Sequence, residues 1–273
     1  DATSRLRLQN LTVTGGQVVG GKDGAGIRSE GLVVLSATEI TGNTADGSGG
    51  AVYTASSAVK TTLVADASLI ATTISVADAT AFGTTTPGFV ILIGSEQMLV
   101  TGVDIAGNAL TVVRGANAST PAAHSVNESV SLLHLSVSET TLSGNSAGFG
   151  AGVFVDGGTG AIVGSTLQGN AATIDGGAVY VDQSASVDVS GSTLVSNSAG
   201  RDGGGFYNNA TATLTVTETT VSGNSAVRDG GGLFNEIVAS ATLLNARISA
   251  NSATNGGGIN NQDGVVSISG GSL

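Results

Sequence analysis

An aliphatic residue followed three positions later by Asn returns along this chain at near-constant intervals. Leu11, Ile40, Leu142, Leu167, Leu194, Val221, Ile248 and Leu273 form one column, and Asn43, Asn145, Asn170, Asn197, Asn224 and Asn251 follow six of its members. Five residues upstream stands a second aliphatic column: Leu6, Leu35, Val137, Ile162, Val189, Val216, Leu243 and Ile268. Two residues further upstream the chain is mostly apolar again (Val33, Leu135, Val187, Leu214, Ala241, Val266), while the position between varies freely: Arg5, Val34, Ser136, Ala161, Asp188, Thr215, Thr242, Ser267. Apolar, variable, apolar is the period of a strand with one buried face. From Leu142 to Leu273 the marks are 25 or 27 residues apart, too close for a helical crossover between parallel strands. The spacing suits a solenoid of short strands and tight turns whose coils hydrogen-bond at about 4.8 Å. An all-β parallel β-helix of about eight coils of 25–29 residues is therefore expected.

Composition agrees with this expectation. Glycine accounts for 43 of 273 residues, aromatic residues for only 3%, and Trp and Cys are absent. The core must be built from Val, Leu, Ile and Ala, with neither disulfides nor thiolate metal sites to support it. The runs Gly203–Gly205, Gly230–Gly232 and Gly256–Gly258 read as sharp turns that leave no side-chain room. Amides in the Asn column should stack along the axis, each bonding the next, as in cross-β Asn ladders. Ala45, Ala147, Ala172, Ala199, Ala226 and Ala253, two residues after each Asn, fit an inward corner.

The pattern L-x-x-N-x-A followed by G-G-[AG]-[IVLF] resembles the FxxN and GGAI repeats of chlamydial polymorphic outer membrane proteins and related large bacterial surface proteins. That resemblance implies a right-handed parallel β-helix on the cell surface. Leu, Ile or Val replaces the Phe here, and the columns place Thr14 at the Asn position of the first coil.

Between Ile40 and Leu142 the column skips one coil and some 75 residues more. The excess defines an organisation of 1–54 (coils 1–2), 55–133 (an inserted small β domain) and 134–273 (coils 3–8). The insertion holds both Pro residues (Pro87, Pro121) and the sole Met (Met98), and lacks the Asn and Gly-Gly marks. "GFVILIG", "EQMLVTGVD" and "NALTVVRG" predict a meander within a small β-barrel or sandwich. Gly94, Glu96, Leu110 to Gly115 and Ala122 to Val130 resemble a small β module of phage tail proteins and bacterial exoproteins, and that resemblance implies no activity.

Chemistry is sparse. Asp175, Asp202 and Asp229 fall one per coil, so stacking sets them about 4.8 Å apart, near the carboxylate separation of a retaining glycosidase. Each precedes Gly-Gly, and Arg201 and Arg228 adjoin two of them, which favours a turn and charge ladder over a proton donor. The three aspartates are also the candidate weak calcium site; no other cofactor is expected. Without Trp, a sugar cleft lacks its usual platform, and Phe206 is expected to face the core. His124 and His134, the two histidines, have no Cys partner, and "DGGG" lacks the Lys and helix of a phosphate loop. The variable column (Arg5, Asp188, Thr215 and the rest) offers no flat Thr lattice of the kind ice-binding solenoids use.

Twenty acidic residues against nine basic ones give a net charge of −11, which argues against nucleic acid and anionic membrane as partners. No apolar run approaches the length of a membrane span. The expectation is a non-enzymatic extracellular or cell-surface segment, structural or adhesive, with the shaft displaying the inserted domain. Open strand edges at both ends predict either a longer β-helix or head-to-tail stacking into a filament. A carbohydrate-active enzyme or tailspike-like depolymerase is one alternative, and a glycan-binding module centred on the insertion is another.

Overall fold

The computed structural model describes residues 5–57, 59–82, 87–182 and 184–273. The chain divides into two compact units, Asp1–Ser56 with Leu135–Leu273, and Ser57–His134.

The first unit is a parallel β-helix. Each full coil contributes a strand to four parallel sheets, represented in one coil by Ser186–Ser190, Thr193–Val195, Ser198–Ala199 and Phe206–Asn208. The sheet containing Ser186–Ser190 has eight strands. In it Val189 pairs with Val216 and Val216 with Leu243, and all three are at most 1% exposed. In the second sheet Leu142, Leu167, Leu194, Val221 and Ile248 stand in register. Both columns face one continuous aliphatic core, joined from the fourth sheet by Val153, Val179, Phe206 and Leu233. Parallel pairing places equivalent residues of successive coils side by side, so a sequence column becomes a row of touching side chains.

Corners follow from local backbone demands. The residue before each ladder Asn (Gly42, Gly144, Gly169, Ser196, Gly223, Ala250) has φ between 55° and 63°, a left-handed turn that glycine adopts without cost. The glycine runs answer a different need. A Cβ on Gly204 would lie 2.4 Å from the Ser225 carbonyl oxygen, and one on Gly205 2.5 Å from that of Gly232. Neighbouring backbone occupies the space any side chain would need.

The first coil departs from the expected register by two residues. Leu8 pairs with Leu35 and Val13 with Ile40, so these residues, rather than Leu6 and Leu11, pack on the core. Leu6 and Leu11 are 38% and 39% exposed. Gly16, rather than Thr14, takes the Asn position, and its N–H donates to Oδ1 of Asn43 at 2.9 Å. A slip of two keeps every side chain on its own face, so aliphatic alternation alone did not exclude it.

The second unit is a closed antiparallel barrel. Its strands run in the order Thr73–Ser75, Ala109–Val113, Glu96–Asp104, Val90–Ile93, Ser129–Leu132, Lys60–Thr62. The two outer strands then meet: Leu63 bridges Val76, and Val64 N–H and Ala77 N–H donate to the carbonyls of Ser75 and Thr62 at 3.1 and 2.8 Å. Closure removes the sheet's free edges. Leu63, Ile74, Ile91, Met98, Val100, Leu110 and Val130 fill the interior.

The barrel's first and last strands are neighbours, with Lys60 opposite Ser131. The insertion thus leaves and returns at one place. By register Ala55 matches Asp156 and Leu135 matches Gly160, so the insertion stands where another coil has the two-glycine corner Gly157–Gly158. Deleting residues 58–133, which joins Ser57 to His134 across a corner of ordinary length, is expected to preserve the shaft. Circular dichroism should keep its β signature with one cooperative transition, as nearest-neighbour coil contacts require.

Candidate functional site

The Asn column is a continuous amide ladder. Nδ2 of Asn43, Asn145, Asn170, Asn197 and Asn224 donates to Oδ1 of the next Asn at 2.9–3.0 Å, ending on Asn251. The other Nδ2 hydrogen reaches the carbonyl of the preceding coil's aliphatic mark, from Val13 through Val221, at 2.9–3.2 Å. Each receiving Oδ1 also accepts the backbone N–H of the Asn before it at 2.9–3.1 Å. Two donors and two acceptor sites are the full capacity of the amide. Nothing is left over for a ligand.

Two further ladders escaped the sequence reading. Thr38, Thr140, Ser165, Ser192 and Thr219, each five residues before a ladder Asn, are buried at the opposite end of the same short strands. The N–H of each of the first four donates to the next hydroxyl at 3.1–3.4 Å. Every hydroxyl in turn donates to the carbonyl two residues back at 2.8–3.0 Å. A hydroxyl at a fixed offset from Asn was visible in the sequence. A shorter amide ladder joins Asn208 to Asn235 and Asn235 to Asn261 at 2.7 and 2.8 Å.

The aspartates are brought together as a row, with Asp202 bridging Asp229 and Asp175 one coil before. Asp175 and Asp202 are wholly buried. Arg201 forks onto Asp175, its Nε 2.9 Å from Oδ1 and its Nη2 on Oδ2, and Asp202 N–H adds a bond of 3.0 Å. One coil on, Arg228 grips Asp202 in the same way and Asp229 N–H lies 3.1 Å away. Asp229 faces Arg228 Nε at 3.1 Å and Asn255 Nδ2 at 2.8 Å. The hydrogen bond to Asp175 raises the Arg201 pKa against the opposing effect of burial. Asp175 and Asp202 thus each meet a guanidinium of the next coil, and Asp229 an amide. Among the described residues no group of three or more His, Cys, Asp and Glu is arranged to hold a metal ion.

Outward from the fourth sheet, Tyr53, Phe154, Tyr180, Tyr207 and Phe234 form a stack with centroids 4.6–5.5 Å apart. The rings take up one another's faces, and all five residues are at most 8% exposed. The three inner rings, Phe154, Tyr180 and Tyr207, thus have neighbours on both faces. Phe206 faces the aliphatic core, 1% exposed. Elsewhere on the shaft an open groove of about 530 Å³ is lined by Asn10, Thr12, Glu39, Glu139 and Thr141 among others.

In the barrel the residues of the module's motif converge. Glu96 is fully buried. Arg114 binds it through Nε at 2.7 Å and Nη2 at 2.6 Å, the N–H groups of Gly115 and Ala122 donate at 3.1 and 2.9 Å, and His124 Nε2 lies 3.0 Å away. Burial pushes the Glu96 carboxyl up, but these partners outweigh it and hold it at about 2. Arg114 also donates to the carbonyls of Ser68, at 2.7 Å, and Ala122. Neither histidine is exposed, and burial pushes His134 down to about 4.

These features define a class: a parallel β-helix repeat protein with a β-barrel set into one coil corner. Within that class, residues 37–55 match the Chlamydia polymorphic membrane protein repeat, so the resemblance carried by the Asn and Gly-Gly marks holds for that coil. No curated protein matches significantly. Among solved structures, the chain is similar to the Gp54 tailspike of Acinetobacter baumannii bacteriophage AP22, a complex with A. baumannii capsular saccharide, at 10% identity and a TM-score of 0.26, covering 99% of this chain and 64% of that one. Tailspike gp49 of Pseudomonas phage LKA1 (15%, TM-score 0.27, 95% and 41%) and tailspike gp61 of Pseudomonas phage phi297 (15%, TM-score 0.29, 88% and 56%) are similar at the same level. The chain spans less than two thirds of each tailspike's length.

Two outcomes follow from this chemistry. Asn197→Ala strips Asn170 of its acceptor and Asn224 of one of its two donors, and should cost about 3–5 kcal/mol in urea unfolding, against about 1–2 kcal/mol for Asn251→Ala at the ladder's half-buried end. Acid should loosen the barrel in two stages. His134, at about 4 when folded against 6.5, stabilises fully above 6.5 and loses that contribution as pH falls to 4. Glu96, at about 2 against 4.5, loses its contribution as pH falls from 4.5 to 2. Amide exchange of Ile91 and Val112 at stepped pH measures both.

Proposed function

We propose that this chain is a rigid, non-enzymatic structural or adhesive segment displayed outside the cell, a β-helix shaft that carries a small barrel. The observation that supports it most is the continuous hydrogen bonding of the Asn43–Asn251 and Thr38–Thr219 columns along the shaft. Amides, hydroxyls and the Asp–Arg row spend their hydrogen bonds on the neighbouring coil, which favours stiffness over a reactive cleft. The likeness of residues 37–55 to a polymorphic membrane protein repeat supports the surface location. Among the described residues no helix is long and apolar enough to cross a membrane. The acidic surface suits neither nucleic acid nor anionic lipid.

The partner on this reading is another coil, either from further along a longer chain or from a second copy stacked head to tail. Ile268 and Leu273 of the last coil are 46% and 75% exposed, whereas Leu243 and Ile248, their counterparts one coil before, are buried. A further coil laid on them would continue the core. No cofactor is required: arginine supplies the countercharge that calcium would otherwise bring to Asp175, Asp202 and Asp229.

A second reading, glycan cleavage, draws on the groove that holds Glu39 and Glu139. Glycan binding through the barrel is a third, read out by a glycan array with the 58–133 deletion as control. On the structural reading, electron microscopy at high concentration shows end-to-end assemblies, and discrete short rods would count against self-stacking. Excess chelator leaves Tm unchanged, and a polysaccharide panel gives no turnover. Turnover that disappears in Glu139→Gln would overturn the non-enzymatic assignment.

A further inference from the structure

The ring of His124 meets a carboxylate at each end. Its Nε2 lies 3.0 Å from Oε2 of Glu96, and its Nδ1 lies 2.9 Å from Oε2 of Glu128. An ionised carboxylate only accepts, and a neutral imidazole has one N–H. Both contacts are therefore hydrogen bonds only when both ring nitrogens carry hydrogen. Both carboxylates are held ionised: Glu96 by Arg114 and two backbone N–H groups, and Glu128 by Ser125 N–H at 2.7 Å. The Ser125 bond and His124 lower the Glu128 pKa.

His124 sits where two loops are tied together. It exchanges backbone hydrogen bonds of 2.8 and 2.9 Å with Ala67, and Asn127 N–H reaches the Leu63 carbonyl at 2.9 Å. Val126 N–H donates to Oδ1 of Asp66 at 2.8 Å. Beyond Ala67 the turn Ser68–Ala71, closed by a 3.0 Å bond, presents Leu69 and Ile70 at 53% and 84% exposure. The charged groups around the ring are Glu96 with its partner Arg114 from the barrel wall, Glu128 from the ring's own segment, and Asp66 from the facing loop.

We infer that His124, as an imidazolium bridging Glu96 and Glu128, is a pH-sensitive latch that fastens residues 122–128 and the loop 64–71 to the barrel. The sign follows from the partners. An imidazolium donates to both carboxylates and a neutral ring to only one, so the latch is closed at low pH and opens as pH rises. Which bond breaks also follows. A neutral ring keeps one N–H, and Glu96 is buried with other donors, whereas the Glu128 side chain is 37% exposed and can turn to water. Opening thus frees Glu128 first, and with it the segment that steadies the Leu69–Ile70 turn.

Nitrogen-15 NMR of the ring in the whole chain, with amide exchange corrected for intrinsic rates from about pH 5 to about pH 9, tests the latch. The expected result is that the ring loses one of its two protons in the same pH range in which exchange at the latch rises. Corrected exchange of the Ala67, Val126 and Asn127 amides should rise about tenfold across the range relative to Val112, the scale of one lost charge-assisted hydrogen bond. Glu128→Gln should move that step to lower pH, and His124→Gln should abolish it. A ring that loses its proton with no change in exchange at the latch, or corrected exchange that is flat with pH, overturns the proposal. Should His124→Gln fail to fold, the rim substitution Glu128→Gln still decides, because a purely structural role predicts no shift of the step.

Discussion

Backbone hydrogen bonding between successive coils is the constraint from which the rest of the shaft follows. Once coils are stacked in parallel at about 4.8 Å, each side chain's nearest neighbours are its own counterparts above and below. Every column must then be compatible with itself. Aliphatic residues meet that condition by packing, Asn by donating and accepting along one direction, Ser and Thr by bonding the neighbouring backbone, and aromatic rings by stacking. Carboxylates do not meet it. The Asp175, Asp202 and Asp229 row is tolerated because Arg201 and Arg228 reach back one coil to bind Asp175 and Asp202. The basic neighbours in the sequence are thus a consequence of stacking like charge on like charge.

That same constraint explains what the sequence made legible. Period and alternation place Val189 over Val216 and Leu243, and the Asn spacing places amide over amide, because both properties repeat in every coil. The hydroxyl column repeats just as strictly, and it went unread because Ser and Thr are common throughout the chain and carry little contrast. The aromatic stack begins only at Tyr53 and mixes Tyr with Phe, so its members read as isolated hydrophobes. In the first coil the aliphatic pattern permits two registers, and the discriminating feature is Gly16, whose position a Cβ would place 2.2 Å from the Ala25 carbonyl oxygen. Backbone proximity of that kind leaves no trace in hydropathy.

The barrel was legible only in outline. Its strands alternate and its turns carry Gly94 and Asn108, but closure rests on Leu63 meeting Val76, a pairing between edge strands that no local pattern announces. Glu96, Arg114 and His124 are far apart in sequence and lie in no repeat. Their convergence became visible through antiparallel pairing, which sets Leu99 of the Glu96 strand opposite Val113, next to Arg114. A buried carboxylate with donors from four residues is costly to assemble and highly directional, so it specifies one arrangement of the loops that supply the donors.

Shaft and barrel divide the physical tasks in a way that bears on function. In the shaft, the main buried polar columns pair with their own counterparts in neighbouring coils. Anything the proposed surface segment recognises must therefore be met by outward residues that vary from coil to coil, or by the barrel. The barrel departs from the repeat rule, since its buried charges pair with unlike partners, Glu96 with Arg114 and His124. An insertion whose ends emerge side by side can be added to a coil corner without disturbing the ladders. A repeat shaft thereby acquires a responsive element that its own like-on-like columns could not provide.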